Sequence, residues 1–312
     1  MATSPPAVLP RLHPLEKISV LFHWNIFGIT GLAVTGKQSA LRQDSKSKVW
    51  ESGAMDEIYL TKWGDSGRRV VLVHGSAQGS QVGGDKHFAK QFELAARGWE
   101  LIVPDRPGHG RTPAPGRPDD AELDGVWVAD LLGDGAHLVG HSFGGAVALA
   151  AAARRPEAVR SLTLIEPALQ KFALSDPEVR KFGLKALLTL ALPMPAAVRA
   201  RRFARLVRIP EEIRGGSSPA ELRKMGRGLK ALRLPSGDEI AAQLAVVRAN
   251  EIPFMVVTGG WNRAFDAIGR LAAAAGGGQH VVITSSHHFP QAVSDEFNER
   301  LNNFMLEADA KA

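Results

Sequence analysis

A serine flanked by glycines is the residue of this chain whose surroundings best suit it to chemistry. Ser142 stands at the centre of Gly140-His-Ser-Phe-Gly144, between the apolar pair Leu138-Val139 and an alanine-rich stretch. The two glycines permit a strand-to-helix turn so tight that a Cβ atom at either position would clash. Such a turn exposes the hydroxyl at a helix N-terminus, where unpaired N–H groups favour negative charge. We predict that Ser142 is a nucleophile and that the Phe143 N–H donates to an oxyanion.

A second oxyanion donor is predicted where another apolar run ends. Residues 70–73 lead into His74-Gly75, and a glycine there lets the chain turn sharply over the edge of a sheet. The Ser76 N–H can then point at the same position as that of Phe143. We expect His74 itself to pack below the site.

Two further polar residues are candidates for catalysis. Asp105 and His109 lie in Asp105-Arg-Pro-Gly-His-Gly110, directly after an apolar strand-like run. They precede the nucleophile in a turn whose residues are explained by local hydrogen bonding, so we interpret both as structural.

Strands and helices must alternate to position these residues. The pattern contains seven strand-like runs, at residues 57–62, 70–73, 101–104, 136–139, 162–165, 254–258 and 281–284. Helical spacing recurs at residues 88–97, 121–132, 144–155, 264–275 and 295–307. This alternation predicts an α/β fold with a mostly parallel sheet and helices on both faces.

The strand signal stops between residues 167 and 250, where helical spacing broken by prolines and glycines takes over. We predict that residues 167–250 form a helical cap and that residues 55–166 and 251–312 form the core. The cap segment carries 16 Lys and Arg against 7 Asp and Glu, which leaves the rest of the chain net negative although the whole is +6. Attraction of acidic substrates to the entrance is one interpretation of that surplus, and a basic surface facing away from the pocket is the other.

Composition excludes several kinds of site. With 45% hydrophobic and 22% charged residues among 312, the chain is typical of globular proteins, and its lack of cysteine excludes disulfides, thiolate zinc sites and a cysteine nucleophile. No phosphate loop, dinucleotide fingerprint or metal-ligand spacing occurs, so we expect no cofactor and no metal. The basic segment lacks the interleaved aromatic residues of a nucleic-acid binder, and we expect no nucleic-acid partner.

Residues 1–54 differ from the rest. An apolar run from Ile18 to Thr35 is interrupted by His23, Trp24 and Asn25, and no clean cleavage site follows it. We interpret residues 1–54 as a dispensable extension, disordered or wrongly assigned to the chain, ahead of a segment that begins at Met55. A targeting segment is the alternative. If residues 1–54 are a dispensable extension, we expect a cytoplasmic protein that has no membrane partner.

Four motifs in register resemble the α/β-hydrolase superfamily over residues 55–306. They are His74-Gly75, Asp105-Arg-Pro-Gly-His-Gly110, Gly140-His-Ser-Phe-Gly144 and His288-Phe-Pro290. The resemblance implies an eight-stranded, mostly parallel sheet, a cap inserted after the sixth strand and a Ser–acid–His triad. Carried onto this chain, it implies Ser142 as nucleophile, His288 as base, and Ser76 and Phe143 as oxyanion donors. His287 is the competing base.

The acid of the implied triad has two candidates. The usual Gly-x-x-Asp turn corresponds here to Gly259-Gly260-Trp261-Asn262, and an amide cannot supply the negative charge that stabilises a protonated histidine. Glu166 ends the strand beside the nucleophile strand, and we favour it. Asp266, in the first turn of the next helix, is the alternative, although the helix dipole already explains an acidic residue there.

These residues predict a serine hydrolase that cleaves a small carboxylic ester through an acyl-enzyme. Two alternatives remain, namely a hydrolase of lactones or of carbon–carbon bonds in oxo-acids, and a non-catalytic member that binds a small ligand under the cap. The nucleophilic serine disfavours the alkyl-enzyme chemistry that an aspartate at the same position would support. Substrate identity depends on cap side chains that the pattern does not position.

Overall fold

Seven strands form one sheet among the residues that the computed structural model describes, which are 58–75, 77–214 and 216–311. The strands are β1 (Leu60–Trp63), β2 (Arg68–Val73), β3 (Trp99–Pro104), β4 (Ala136–His141), β5 (Val159–Ile165), β6 (Phe254–Thr258) and β7 (Gln279–Val282). Their order across the sheet is β1-β3-β2-β4-β5-β6-β7, and only the β1–β3 pair is antiparallel. The central strands β4 and β6 are buried along their whole length, which explains their nearly continuous apolar sequence.

The mostly parallel α/β fold is as predicted, but the strand count differs. The resemblance implied eight strands, whereas the sequence pattern contains seven apolar runs and each of these becomes a strand of the described sheet. A family's strand count describes its members in general, while a strand in this chain needs its own run of residues. The long helical segment therefore follows β5, not a sixth strand. The predicted extension, residues 1–54, lies outside the described residues.

Helices connect most of the strands. Those of α type are α1 (Gly84–His87), α2 (Ala121–Leu131), α3 (Phe143–Arg154), α4 (Pro177–Ala191), α5 (Ala196–Leu206), α6 (Glu211–Arg214), α7 (Pro219–Ala231), α8 (Gly237–Ala249), α9 (Arg263–Gly276) and α10 (Glu296–Asp309). Segments of 3₁₀ helix cover Ala89–Arg97, Pro156–Ala158 and Pro290–Ala292. The helix predicted over 88–97 is the 3₁₀ segment Ala89–Arg97. The apolar spacing of so short a run does not distinguish the period of 3.6 residues of an α-helix from that of 3.0 residues of a 3₁₀-helix. None of the helices in the described part of the chain is both long and apolar enough to cross a membrane.

Capping residues set where the helices of the 167–250 segment begin. The side chains of Ser218 and Ser236 each accept a hydrogen bond from the backbone N–H of a glutamate three residues later, and the carboxylate of that glutamate accepts one from the serine N–H. These capping boxes satisfy N–H groups that lack a partner at the start of α7 and α8. Asp176 caps α4 in the same way, through the N–H groups of Glu178 and Val179.

Small residues bring α3 against both the sheet and α2. Every residue from Phe143 to Ala152 is buried. A Cβ on Gly125 of α2 would lie 2.8 Å from Cβ of Ala150, so the two helices meet at a distance that only a glycine allows. On the opposite face, Phe297, Leu301 and Met305 of α10 are buried against the sheet. The carboxyl ends of β2, β4, β5 and β6 are thereby held at one edge, where ligand sites of such sheets form.

Candidate active site

The backbone turns sharply at Ser142, between β4 and α3. Its φ of 55° and ψ of −120° are rare for a residue with a side chain, and strain of this kind concentrates at functional positions. A Cβ on Gly144 would meet the carbonyl oxygens of Val73 and His74, and one on Gly75 would lie 2.7 Å from Cβ of Ser142. The glycines around Ser142 therefore let three segments of backbone approach the same point.

Ser142, His288 and Glu166 form a continuous line of hydrogen-bonding atoms. Oγ of Ser142 lies 2.9 Å from Nε2 of His288, and Nδ1 of His288 lies 2.7 Å from Oε2 of Glu166. Ser142 follows β4, Glu166 follows β5, and His288 lies in the loop after β7. The sheet thus brings His288 to Ser142, 146 positions away, and to Glu166, 122 positions away. Glu166 is fully buried and His288 is 4% exposed.

The carboxylate of Glu166 accepts hydrogen bonds from the turn after β6, in which Asn262 stands at the usual aspartate position. The Gly259 N–H donates to Oε1 at 2.7 Å, and the indole Nε1–H of Trp261 donates to Oε2 at 3.0 Å. Burial raises the pKa of Glu166, and these two donors oppose that rise. Together with the imidazole N–H, three donors face the carboxylate oxygens, which offsets part of the cost of burying a negative charge here. The sequence did not reveal this role of Trp261, although an indole beside two glycines after a buried strand was the available signal.

The imidazole of His288, the predicted base, is kept neutral by its surroundings. Burial is the main reason that the pKa of His288 is lowered, and the ring of Phe265 lies with its centroid 4.6 Å from that of His288. A neutral imidazole whose Nδ1–H faces a carboxylate has a free electron pair on Nε2. That atom faces the Ser142 hydroxyl and can accept its proton.

The competing candidates lie elsewhere. The Asp266 carboxylate accepts a hydrogen bond from Oγ1 of Thr258 at 2.6 Å, and no hydrogen bond joins it to His288. His287 turns its Nδ1 toward its own loop, where it accepts from the Phe289 N–H at 3.2 Å. Asn262 caps α9 by accepting from the Ala264 N–H, which explains an amide at this place in the turn.

The Phe143 N–H is at the start of α3 and lacks a hydrogen-bond partner among the described residues, as an oxyanion donor requires. Ser76, the other predicted donor, lies outside the described residues. The segment that precedes it is held by Arg106, whose Nε donates to the His74 carbonyl at 2.9 Å and whose guanidinium lies 4.5 Å from the centroid of the Phe143 ring. Arg106 is buried and paired with Asp119 and Asp124 at 2.8 and 3.0 Å.

The remaining sequence candidates stabilise turns. Asp105 accepts hydrogen bonds from the backbone of Gly84 and of Arg111, at 2.8 and 3.0 Å. His109 is buried beside Arg106, and Nε2 of His74 accepts from the Arg106 N–H at 2.9 Å. None of the three has a hydrogen bond to Ser142, Glu166 or His288 in the described part of the chain.

A chain of imidazoles that the sequence did not reveal supports the His288 backbone. Nε2 of His141 lies 2.7 Å from the His288 carbonyl oxygen, and Nδ1 of His141 lies 2.7 Å from Nε2 of His87. A carbonyl oxygen only accepts, so His141 donates through Nε2, and His87 must donate in turn to Nδ1 of His141. Burial lowers the pKa of both histidines, which agrees with this neutral arrangement.

A mainly apolar pocket lies above Ser142. Side chains from α5 and α7 line it opposite Ser142, His141 and His288, among them Phe203, Leu222, Met225 and Leu229, together with Val207 just after α5. Elements of the predicted cap thus contribute to the walls. No group of three or more His, Asp and Glu residues placed to bind a metal ion occurs within the described ranges.

Comparisons with known proteins agree with this architecture. Lipase LipV of Mycobacterium tuberculosis is 34% identical over 151 residues, which is 47% of this chain and 54% of that protein. A 2-hydroxymuconate semialdehyde hydrolase of a Pseudomonas species is 35% identical over 119 residues, 36% of this chain and 41% of that protein. The chain thus spans about half, or less, of the length of these relatives.

Solved structures share the fold. A crystal structure from work on carboxylesterases of Nitrososphaera gargenis superposes with a TM-score of 0.58 at 17% identity, covering 82% of this chain and 96% of that one. At that identity the likeness concerns the fold alone. The model of the alpha/beta hydrolase family matches residues 70–300, which include the strand-to-helix turn at Ser142, the turn after β6 and His288. This chain therefore belongs to the alpha/beta hydrolase family.

Proposed function

We propose that this protein is a serine hydrolase that cleaves a small carboxylic ester through an acyl-enzyme intermediate. The observation that carries the proposal is the line from Ser142 Oγ through His288 to Glu166, with contacts of 2.9 and 2.7 Å at the floor of an apolar pocket. Two relatives are named as a lipase and as a semialdehyde hydrolase, which supports hydrolysis as the class of reaction.

The proposed reaction has two halves. His288 takes the hydroxyl proton of Ser142 as Oγ bonds to the ester carbonyl carbon, and the resulting oxyanion accepts hydrogen bonds from Phe143 N–H and Ser76 N–H. Collapse breaks the bond to the alcohol, which leaves with the proton from His288. Water then attacks the acyl-enzyme, gives a proton to His288 and releases the carboxylic acid, while Oγ recovers the proton.

Each proposed role has its own energetic purpose. The Glu166 carboxylate stabilises the imidazolium that forms at His288, and it fixes the tautomer with the proton on Nδ1. Each oxyanion donor of such a site is worth about a hundred- to a thousand-fold in rate. In this proposal residues 167–250 form a cap, and its helices α5 and α7 cover the acyl chain and exclude water from the reacting atoms.

The test is turnover of short p-nitrophenyl esters by the purified protein and its variants. We expect Ser142→Ala to lower kcat by about 10⁴-fold or more, because the group that attacks is removed. A fluorophosphonate probe should label the wild type at Ser142, with mass spectrometry locating the adduct. Unchanged ester hydrolysis by Ser142→Ala would refute the serine mechanism.

Neighbouring histidines provide a matched control. His288→Ala should lose activity to a similar degree, while His287→Ala should retain most of it, because only His288 contacts Ser142. A protein that binds esters without any turnover would be the non-catalytic alternative. Turnover of lactones or oxo-acids but not of acyclic esters would favour the other hydrolase class.

A further inference from the structure

One charged side chain interrupts the apolar wall of the pocket above Ser142. Apart from its imidazoles, Arg201 is the ionisable residue among the described lining residues. Its neighbours in the wall from α5 and α7 are Ala200, Phe203, Ala204, Leu222, Met225 and Leu229. Arg201 is exposed, whereas His288 and Phe289, on the other side of the pocket, are buried. Arg201 therefore adds one exposed, charged residue to an apolar wall that also includes the reacting residues Ser142 and His288.

The side chain of Arg201 forms no ion pair or hydrogen bond with another described residue. Its neighbour Arg199, on the same helix, is different: it is buried and donates to the carbonyls of Leu190 and Gly226. Arg199 thus has a structural task, whereas the guanidinium donors of the pocket-lining Arg201 are not engaged by another described residue. Such a fork matches a carboxylate in a bidentate way.

The surrounding surface has the same sign. On α5 and α7 the exposed cations without an ion pair to a described residue also include Arg202, Arg205, Arg223, Lys224, Arg227 and Lys230. The nearest carboxylate on these helices, Glu221, is engaged in the capping box with Ser218. Glu212 of α6 lines an adjacent cavity, not this pocket. The seven exposed cations of α5 and α7 outnumber the three carboxylates of α6 and α7, Glu211, Glu212 and Glu221, so an anion that approaches the pocket meets a net positive field.

We propose that Arg201 is a specificity-determining residue and that the preferred substrate is an ester whose acyl chain ends in a carboxylate. This inference rests on the proposed function. The ester carbonyl lies at Ser142, the methylene chain lies along the apolar side chains of α5 and α7, and the distal carboxylate pairs with Arg201. The other cations of the two helices raise the association rate without touching the substrate.

The experiment compares monomethyl suberate, which carries a free carboxylate, with dimethyl suberate, which does not. For the wild type we expect kcat/KM to be higher for the monoester. Arg201→Gln should lower kcat/KM for the monoester about tenfold and that for the diester much less, as expected for loss of one exposed charge-assisted contact. Arg201→Lys should fall between the two, because it keeps the charge and loses the bidentate geometry.

Arg202→Gln is the matched control. Arg202 is the next residue of α5, is exposed and does not line the pocket. The Arg202→Gln substitution removes the same charge from the surrounding field. An equal loss of monoester preference in both variants would therefore overturn a direct contact between the substrate and Arg201. A monoester preference that Arg201→Gln leaves unchanged would also overturn the proposal.

A binding measurement separates this inference from the proposed function. Calorimetry with Ser142→Ala should show monomethyl suberate binding, and adding Arg201→Gln should weaken it about tenfold. If that weakening is seen but no variant hydrolyses any ester, the ester hydrolase proposal fails while the carboxylate site stands. If neutral esters are hydrolysed but the second substitution leaves binding unchanged, the carboxylate site fails and the hydrolase stands.

Discussion

At the scale of single residues, the environment of Glu166 distinguishes it from the other carboxylates of the chain. Its φ of 43° turns the backbone just after β5, and its N–H bonds to the Val257 carbonyl at 2.8 Å. The side chain is thereby directed toward the turn after β6, whose Gly259 and Trp261 donate to it. A glutamate held in this way can orient His288 although the usual aspartate position is an asparagine.

We expect Glu166→Gln to lower kcat by about 10⁴-fold while the protein stays folded, because an amide offers no negative charge to the imidazolium and favours the wrong tautomer. Asp266→Asn is the matched control and should cost little activity, since Asp266 bonds to Thr258. Ester hydrolysis and circular dichroism measure the two effects. A large loss in Asp266→Asn with normal activity in Glu166→Gln would move the acid to Asp266.

At the scale of elements, the β4–α3 junction combines strain with close packing. Ser142 adopts its unusual dihedral angles because α3 starts at once and is packed against the end of β2. Gly144 is at this contact, and a Cβ there has no space between the carbonyl oxygens of Val73 and His74. The position of the nucleophile therefore depends on the glycines as much as on the serine.

Gly144→Ala should consequently destabilise the protein by roughly 2–4 kcal/mol and lower activity, because the backbone of β2 or α3 must move. Gly183→Ala in α4 is the control. A Cβ at Gly183 meets no atom within 4 Å, and the change should stabilise the protein by about 0.5–1 kcal/mol. Urea unfolding measures both. Equal changes in the free energy of unfolding for the two substitutions would contradict the close packing of Gly144 against the end of β2.

At the scale of the whole molecule, buried neutral histidines couple the fold to pH. Burial lowers the pKa of several histidines in β4, at the end of α1 and in the loops after β2 and β3, namely His74, His87, His109, His137 and His141. For His137 the folded-state pKa falls to about 4, although Asp309 lies 3.2 Å from its Nε2. Desolvation by the interior thus outweighs this carboxylate.

Acid should therefore destabilise the fold well before ordinary carboxylates titrate. An unfolded histidine binds its proton near pH 6.5, and His137 when folded only near pH 4, so its contribution is complete above about pH 6.5 and lost as pH falls toward 4. Each such histidine removes about 1.4 kcal/mol per pH unit within its window. Glu166, whose pKa burial raises, opposes this with a single proton.

Urea unfolding at pH 7, 6 and 5 checks this expectation. The free energy of unfolding should decrease steeply across the series, and His137→Asn should reduce the slope by about one proton. A free energy of unfolding that stays constant from pH 7 to pH 5 would mean that these histidines are not buried in the neutral form.

The family and the mostly parallel α/β fold were predicted from local patterns, and both are confirmed. The apolar strand runs, the glycines beside Ser142 and the helix-capping residues Ser218 and Ser236 each determine structure within a few residues, so their effect can be predicted from sequence spacing alone. The nucleophile candidate also belongs to this group, because its turn is defined by residues at most two positions away.

The motif resemblance favoured His288 over its neighbour His287, but only the tertiary structure shows how the two rings are placed. The loop after β7 presents the ring of His288 to Ser142 and turns that of His287 back on the loop itself. The same applies to Glu166, whose donors in the turn after β6 come from 93 and 95 positions away. Contacts over such separations depend on how the strands order in the sheet, and no local spacing encodes that order.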